Sequence, residues 1–262
     1  MDYGLQAFAL MSMKISLVIP CYNEETNIQK GVLDKVGNYV EENDLFGEVL
    51  IVDDGSTDNS RAIIKKTYLN KYKKFRLIEN QHGGKAYAVI TGIQKAAEEY
   101  VMFMDIDLAT PIEESEKLIE HAKKNVDIVI GSRSSSREGA PFLRKVMAVG
   151  FIIVRNIALG LRNIRDTQCG FKLFRRTVAV SIIDRMRLFR HHDLVSGSSV
   201  SAAFDLEFLF LATKLKYSIK EVPVTWRHVE TKNVSFIHDT FETLKDIATI
   251  MYFNLTKQYE SN

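Results

Sequence analysis

The chain has 262 residues, of which 46% are hydrophobic and 26% are charged, and its formal net charge is +2. This composition is typical of a folded globular protein and excludes a disordered chain or a coiled coil. Because the net charge is so small, no overall field attracts a polyanion, and we expect no nucleic-acid partner. Cys21 and Cys169 are too few for a disulfide framework, and we interpret them as reduced thiols.

Short apolar runs alternate with amphipathic helical patterns in the first half of the chain. Strands separated by helices are typical of an α/β protein with a mostly parallel central sheet flanked by helices. Ligands of such sheets bind at the carboxyl ends of the strands. The predicted strands are 15–20, 48–53, 75–79, 100–105 and 127–132, and the predicted helices are 26–43, 85–98 and 112–125.

The alternation ends after residue 139. A long apolar segment follows at 142–161, but no run reaches the roughly 20 apolar residues that a membrane-spanning helix needs. We predict strands at 171–174 and 220–226, a helix at 203–215, and an amphipathic C-terminal helix within 239–259. The predicted organisation is an extension at 1–12, one catalytic domain at 13–235 with halves 13–135 and 136–235, and a C-terminal helix at 236–262.

Two aspartates, Asp105 and Asp107, end the predicted strand at 100–105. Residues two apart on an extended chain face the same side, so both carboxylates are placed to bind one divalent cation. The alternative is a strand-end turn with solvated acids.

Asp53, Asp54 and Gly55 form a second acidic turn at a strand end, suited to hydrogen bonds with a base or ribose. The alternative is an ordinary Asp-Gly turn. Lys85 follows a glycine pair at a predicted helix start, and Arg133 follows a predicted strand. Both cations, with the backbone N–H groups of that helix start, are candidates for a diphosphate, or else exposed structural residues. The chain has neither a Walker A loop nor a G-x-G-x-x-G motif.

Four motifs occur in order: VIPCYNE at 18–24, IVDDGSTD at 51–58, GGKAYA at 83–88 and MDIDL at 104–108. Together they resemble the family 2 inverting glycosyltransferases, which have the GT-A (nucleotide-diphospho-sugar transferase) fold. The resemblance implies that Asp105 and Asp107 hold Mg²⁺ or Mn²⁺ on the diphosphate of a nucleotide-sugar. It also implies a nucleotide site, to which we assign Pro20, Tyr22, Asn23, Glu24, Asp53, Asp54, Gly55, Lys85 and Arg133.

The second half carries RDTQCGFKLF at 165–174, FDLE at 204–207 and VPVTW at 222–226. These motifs resemble the dolichyl-phosphate glucosyltransferases, close to the polyprenyl-phosphate mannose synthases. The resemblance implies transfer of a hexose to a polyprenyl phosphate, with UDP-glucose favoured as donor over GDP-mannose. Ala109 departs from the mannose synthases, which have a glutamine at that position.

The resemblance also gives roles to polar residues of the second half. Asp205 and Glu207 stand where family 2 enzymes place a catalytic acid, or else form an acidic pair at a helix N-terminus. Asp166 and Gln168 match the branch motif and are expected to face the sugar or the acceptor. For an anionic acceptor we name Arg133, Arg144, Arg165 and Lys232 as candidate cations, with Trp226 as a sugar-stacking surface or a core anchor.

The acceptor class determines where the protein works. A polyprenyl phosphate requires peripheral attachment, so we expect a cytoplasmic protein on the cytoplasmic face of a membrane. Segment 142–161 is a candidate for the membrane interface, with Lys145 and Arg155 reaching the headgroups. It is equally suited to packing on the sheet or to a homodimer contact. Two alternative functions are transfer to a sugar hydroxyl and non-catalytic binding of a nucleotide-sugar.

Overall fold

A computed structural model gives the fold and describes residues 13–133, 150, 152, 154–161, 164–189, 202–227 and 236–260. The extension at 1–12, Arg144, Lys145 and Lys232 lie outside the described residues. Across the described ranges, no helix is long and apolar enough to cross a membrane.

The described residues form one sheet of seven strands in the order β3-β2-β1-β4-β6-β5-β7. Neighbouring strands are parallel except at β6, which runs antiparallel to both β4 and β5. The predicted α/β class with a mostly parallel sheet is therefore confirmed. The strands are β1 (Ile15–Cys21), β2 (Phe46–Asp53), β3 (Phe75–Glu79), β4 (Tyr100–Met104), β5 (Ile128–Arg133), β6 (Phe171–Arg175) and β7 (Ile219–Val224).

Helices cover both faces of the sheet. The predicted helix at 26–43 is divided in two, because Gly31 adopts a left-handed conformation with φ of +77°. Sequence analysis missed α7, although its buried Val178, Ala179, Ile182 and Ile183 have helical spacing. The helices are α1 (Glu25–Gln29), α2 (Val32–Glu41), α3 (Ser60–Ile63), α4 (Leu69–Lys71), α5 (Lys85–Lys95), α6 (Ser115–Ala122), α7 (Arg176–Ile183), α8 (Ala202–Lys214) and α9 (Phe236–Leu255). A π-helical turn (Ile64–Tyr68) joins α3 to α4, a 3₁₀ turn (Ile112–Glu114) precedes α6, and residues 154–159 are also helical.

The sheet separates two apolar layers, because successive side chains of a strand point to opposite faces. In β1, Leu17 and Ile19 join the layer that α2 and α6 cover. Val18 joins the opposite layer, to which α5, α7, α8 and α9 contribute. Every central strand is therefore covered on both sides, and only the strand ends are free to carry a site.

The antiparallel strand β6 brings a second half of the chain to the same sheet edge. Met104, the last residue of β4, pairs with Phe171, the first residue of β6. The segment before β6 consequently lies beside Asp105, whose N–H donates to the carbonyl of Gly170 at 3.2 Å.

The chain end after α9 is anchored to α8 through Glu207. This carboxylate is fully buried, and it accepts hydrogen bonds from the Tyr259 hydroxyl at 2.9 Å and the Arg187 N–H at 2.7 Å. Burial raises the pKa of Glu207 from its ordinary 4.5 to about 7, although hydrogen bonds from Tyr259 and Leu188 oppose that rise. Glu207 therefore titrates near neutrality in the folded protein.

Substituting Glu207→Gln should remove a pH dependence of stability. Between about pH 4.5 and 7 the folded chain retains a proton that the unfolded chain has lost, so stability falls as pH rises. Across this range we expect the free energy of unfolding of wild type to fall by up to about 3 kcal/mol relative to that of the variant. Above this range we expect no further change in the difference. Urea unfolding at pH 5, 6, 7 and 8 measures the difference. Glu42→Gln, at an exposed glutamate, is the matched control, and a difference that does not change with pH would contradict the assignment.

Candidate active site

A cleft opens at the edge where β1, β2 and β4 end and β6 begins. Its walls come from the turn after β4, the end of β5, the segment before β6 and the residues after β7. The lining residues are Asp105, Ala109, Thr110, Arg133, Gln168, Cys169, Gly170, Phe171 and Trp226. Topology therefore gathers both halves of the chain around one opening.

Asp53, at the end of β2, is fully buried and is held by Arg61 from α3. Arg61 donates through both Nε and Nη2 to the same oxygen, Asp53 Oδ2, with the Nε contact at 2.7 Å. The other oxygen, Oδ1, is buried and has no hydrogen-bond partner within the described part of the chain. An unpaired buried acceptor is costly, so Oδ1 is suited to accept an N–H group from a ligand. Sequence analysis missed Arg61, which lies eight residues after Asp53.

Asp54 binds the loop before α5. Its carboxylate accepts the N–H groups of Gly83 at 3.0 Å and Gly84 at 2.8 Å, and it contacts His82 Nδ1 at 2.8 Å. Burial raises the pKa of Asp54, and those hydrogen bonds oppose the rise. The N–H groups of Gly83 and Gly84, which we expected to face a diphosphate, are therefore already occupied.

The turns after β1 and β2 hold each other in place. Gly55 has φ of +76°, and a Cβ there would lie 2.9 Å from the His82 nitrogen, so the close approach requires glycine. Asn23 Oδ1 accepts the N–H of Thr57 at 2.8 Å, and the ring of Tyr22 stacks on His82 with centroids 4.1 Å apart. The predicted nucleotide residues of both turns are thus in one place.

Glu24 and Pro20, which were also assigned to the nucleotide site, are held by contacts with neighbouring elements. Glu24 Oε2 accepts the Asn27 side chain at 2.6 Å, while the Glu24 N–H donates to Ser60 Oγ at 2.8 Å. Pro20 is opposite Val52 in the register of β1 and β2. These contacts fix the turn after β1 against the start of α3 and the end of β2.

Asp105 is held between Lys85 and Gly170. Lys85, the first residue of α5, has its Nζ 2.5 Å from Asp105 Oδ1. A Cβ on Gly170 would lie 2.2 Å from Asp105 Oδ2, so glycine alone leaves room for this carboxylate. Burial lowers the pKa of Lys85, but the carboxylates of Asp105, Asp205 and Asp107 outweigh it and the pKa is raised. Lys85 is therefore a stable cation at neutral pH.

Asp107 is near Asp105 but has a different environment. Its Oδ1 accepts the N–H of Ala109 at 2.9 Å, and burial raises its pKa. Among the described residues, no three His, Cys, Asp or Glu side chains gather as a complete metal site. Two carboxylates nevertheless suit a hard cation such as Mg²⁺ or Mn²⁺ whose remaining ligands are phosphate oxygens and water.

A second ion pair lies deeper in the site, between Lys172 of β6 and Asp205 of α8. Lys172 is 1% exposed, and its Nζ donates to Asp205 Oδ1 at 2.7 Å and to the Cys169 carbonyl at 2.6 Å. Burial raises the pKa of Asp205, against the opposing charge of Lys172. Lys172 was not predicted to belong to the site. The signal that could have identified it is a charged residue inside an otherwise apolar strand.

Glu207 and Asp205, both named as candidate catalytic acids, lie in different environments. Residues two apart on an α-helix are separated by about 200° around its axis, so the two carboxylates point in different directions. Glu207 contacts Tyr259 and the backbone of 187–188, as described for the chain end. The structure therefore does not bring Glu207 to the cleft.

Arg133 lines the cleft and is paired with Asp166 behind it. Arg133 Nε and Nη2 donate to the two oxygens of Asp166 at 2.7 and 2.8 Å, and the guanidinium lies 5.9 Å from the Trp226 ring centre. The Gln168 N–H donates to Asp166 Oδ1 at 3.2 Å, which fixes the position of Gln168 on the lining. Arg133 is thus already paired, and Trp226 is 41% exposed at the opening rather than a core anchor.

Arg155 and Arg165 differ sharply in exposure. The expectation that Arg155 reaches lipid headgroups is wrong, because this side chain is 2% exposed and donates to Thr167 Oγ1 and the Ile164 carbonyl. It shapes the segment before β6 instead. Arg165 is exposed, and its N–H is held by the Glu221 carboxylate at 3.1 Å.

Comparisons with known proteins show which family the chain belongs to. The family model "Glycosyl transferase family 2" matches residues 16–182. The dolichyl-phosphate beta-glucosyltransferase of Saccharomyces cerevisiae is 31% identical, over 95% of this chain and 77% of that protein. The Drosophila melanogaster protein of the same name is 33% identical, over 91% of this chain and 74% of its own length.

Solved structures of glycosyltransferases share the fold. Glucosyl-3-phosphoglycerate synthase from Mycobacterium tuberculosis, in complex with Mn²⁺, UDP-glucose and phosphoglyceric acid, matches with a TM-score of 0.67 at 16% identity, over 95% of this chain and 83% of that one. Mannosyl-3-phosphoglycerate synthase from Rubrobacter xylanophilus has a TM-score of 0.64 at 13% identity, over 98% and 79% of the two chains. The motifs, the GT-A fold and the family match agree, and the chain belongs to glycosyl transferase family 2.

Proposed function

We propose that this protein transfers glucose from UDP-glucose to a polyprenyl phosphate with inversion at the anomeric carbon. The observation that carries the proposal is the similarity to dolichyl-phosphate beta-glucosyltransferases over 91–95% of the chain. Such coverage includes the second half, which supplies Gln168, Lys172 and Asp205 to the site. GDP-mannose is the second candidate donor.

The donor nucleotide is assigned to the side of the cleft at Asp53. Its unpaired Oδ1 is an acceptor, so it suits a base that presents a ring N–H, as uracil and guanine both do. The stacked rings of Tyr22 and His82 lie on the same side. This arrangement orients the diphosphate toward Lys85 and Asp105.

The leaving group is a nucleoside diphosphate, whose growing negative charge must be stabilised as its bond to the sugar breaks. A Mg²⁺ or Mn²⁺ ion held by Asp105 and Asp107 would supply Lewis-acid stabilisation of that charge. The Lys85 ammonium adds a positive charge at the same place. Gly170 has no side chain and so leaves the space that the Asp105 carboxylate occupies.

The acceptor is assigned to the opposite side of the anomeric carbon. An oxygen of the lipid phosphate forms the new bond to that carbon while the bond to the diphosphate breaks, so an α-linked donor gives a β-linked product. A phosphate is already anionic near neutral pH and needs no general base. Lys172 neutralises Asp205, so this acid does not repel the anion. The proposed cations for the acceptor phosphate are Arg165 and, outside the described residues, Arg144 and Lys232. Gln168 and Trp226 line the path by which the acceptor would enter.

A lipid acceptor also places the protein at a membrane. We assign it to peripheral contact with the cytoplasmic face, through the region of residues 142–161. Its described part leaves Ile157 74% exposed and Val154 46% exposed, as an interfacial segment requires. A homodimer contact would cover the same side chains.

A donor panel against a short polyprenyl phosphate tests the reaction directly. With Mn²⁺, we expect lipid-linked glucose and UDP from UDP-glucose, and little product from GDP-mannose. Asp105→Asn and Asp107→Asn should each lower turnover by about 10²–10³-fold, the effect of removing one electrostatic stabiliser. Asp44→Asn, at an exposed aspartate, is the control. Donor hydrolysis without lipid product would instead indicate a hydroxyl acceptor, and Mn²⁺-independent binding without turnover would indicate a non-catalytic protein.

Gly170→Ala should damage catalysis while the protein stays folded. The new methyl group would overlap the Asp105 carboxylate and displace it. A displacement near 1 Å costs about 10²-fold in rate, so we expect a loss of that order in kcat, with the unfolding transition preserved. Asp44→Asn, at an exposed aspartate, is again the control. Activity of Gly170→Ala equal to that of the control would contradict this role of Gly170.

The effect of removing the Asp205 carboxylate distinguishes a phosphate acceptor from a hydroxyl acceptor. Asp205→Asn alone leaves Lys172 buried and unpaired, so the informative variant is the double change Lys172→Met with Asp205→Asn, which removes both charges. We expect this double variant to retain activity within about tenfold, because no base is needed. A required general base would cost about 10²–10⁴-fold. Steady-state rates at several pH values measure the effect, and a loss in the latter range would favour a hydroxyl acceptor.

A further inference from the structure

We propose that Lys85 occupies the cation position at Asp105 until the donor diphosphate draws it away, so that nucleotide and metal bind cooperatively. The inference rests on the metal site of the proposed function and goes beyond it, because it assigns an order and a coupling to the binding events. The role of Lys85 is then to compete with the metal as well as to contact phosphate.

The distance between the two side chains makes the competition unavoidable. Lys85 Nζ is 2.5 Å from Asp105 Oδ1. A Mg²⁺ ion on the same oxygen would lie at about 2.0–2.1 Å, so it would compete for nearly the same space. A divalent ion and an ammonium group this close also repel each other strongly. Metal binding to Oδ1 therefore requires Lys85 to leave.

The Asp105 carboxylate packs on Gly170, which limits its movement on that side. Gly170 lies against Asp105 so closely that an added Cβ would be 2.2 Å from Oδ2 and 2.7 Å from Oδ1. The Asp105 N–H is also bound to the Gly170 carbonyl. Both side chains are partly exposed, Lys85 to 30% and Asp105 to 37%, and the longer, flexible lysine stem makes Lys85 the partner that moves.

A donor diphosphate provides Lys85 with an alternative anionic partner. The N–H groups of Gly83 and Gly84 are already bound by Asp54, so in this loop the flexible positive group is the Lys85 side chain. When Lys85 transfers to a phosphate, Oδ1 of Asp105 becomes available to the metal. By linkage, nucleotide must then tighten metal binding by the same factor as metal tightens nucleotide binding.

The test measures Mn²⁺ binding rather than turnover. Electron paramagnetic resonance of free Mn²⁺ gives the affinity for wild type, Lys85→Gln and the control Lys124→Gln, which removes a lysine from a surface ion pair far from the cleft. Without nucleotide, we expect Lys85→Gln to bind Mn²⁺ about tenfold more tightly than the other two, within the range of typical couplings. UDP titrations with and without Mn²⁺ should then give a smaller coupling factor for Lys85→Gln than for wild type.

Two further variants make the outcome unambiguous. Adding Asp105→Asn to Lys85→Gln should abolish the gain in Mn²⁺ affinity, and Lys85→Met should reproduce it. The competition between Lys85 and the metal would be wrong, with the metal site unaffected, if Lys85→Gln and wild type had equal Mn²⁺ affinities. A gain in affinity that survives Asp105→Asn would lead to the same conclusion. Absence of Mn²⁺ binding to every variant, even with UDP, would overturn the proposed metal site as well.

Discussion

The fixed position of the Asp105 carboxylate is the constraint on which the site depends. Three separate parts of the chain determine it: the end of β4, the first residue of α5 and the segment before β6. Lys85 contacts one carboxylate oxygen, and Gly170 lies against the other. The antiparallel insertion of β6 is what makes this possible, because it brings the second half of the chain to the edge where β1, β2 and β4 end.

Charge pairing divides the acids at this edge into supporting and available groups. Asp54 is occupied by the loop before α5, Asp166 by Arg133, and Asp205 by Lys172. Buried charges persist only when they are paired in this way, so these acids organise the cleft walls. The exceptions are Asp53, with one unpaired oxygen, Asp105, whose partner is a flexible lysine, and Asp107, which accepts only a backbone N–H group. These three acids lie where the donor nucleotide and its metal are assigned.

Sequence patterns predicted the sheet and the gathering of acidic residues at its edge well, because strand periodicity and strand-end motifs are local signals. The strand at 75–79 and the gathering of Asp53, Asp54 and Asp105 at one edge follow from such signals. Contacts that depend on tertiary packing were missed or misassigned. Arg61 and Lys172 find their partners through the fold, and Glu207 points away from Asp205 because α8 is helical there. Arg155 is buried for the same reason, since it donates to the Thr167 hydroxyl and the Ile164 carbonyl, which only the folded chain brings near.

The central claim is that Asp105 is the point where donor diphosphate, metal and Lys85 meet. Anomalous diffraction at the manganese edge, from crystals of the protein grown with Mn²⁺ and UDP, tests it most directly. The account predicts one strong peak between Asp105 and Asp107, with Lys85 Nζ moved from Asp105 to a phosphate oxygen. A manganese peak elsewhere, or UDP bound at this edge while Lys85 still contacts Asp105 Oδ1, would contradict it.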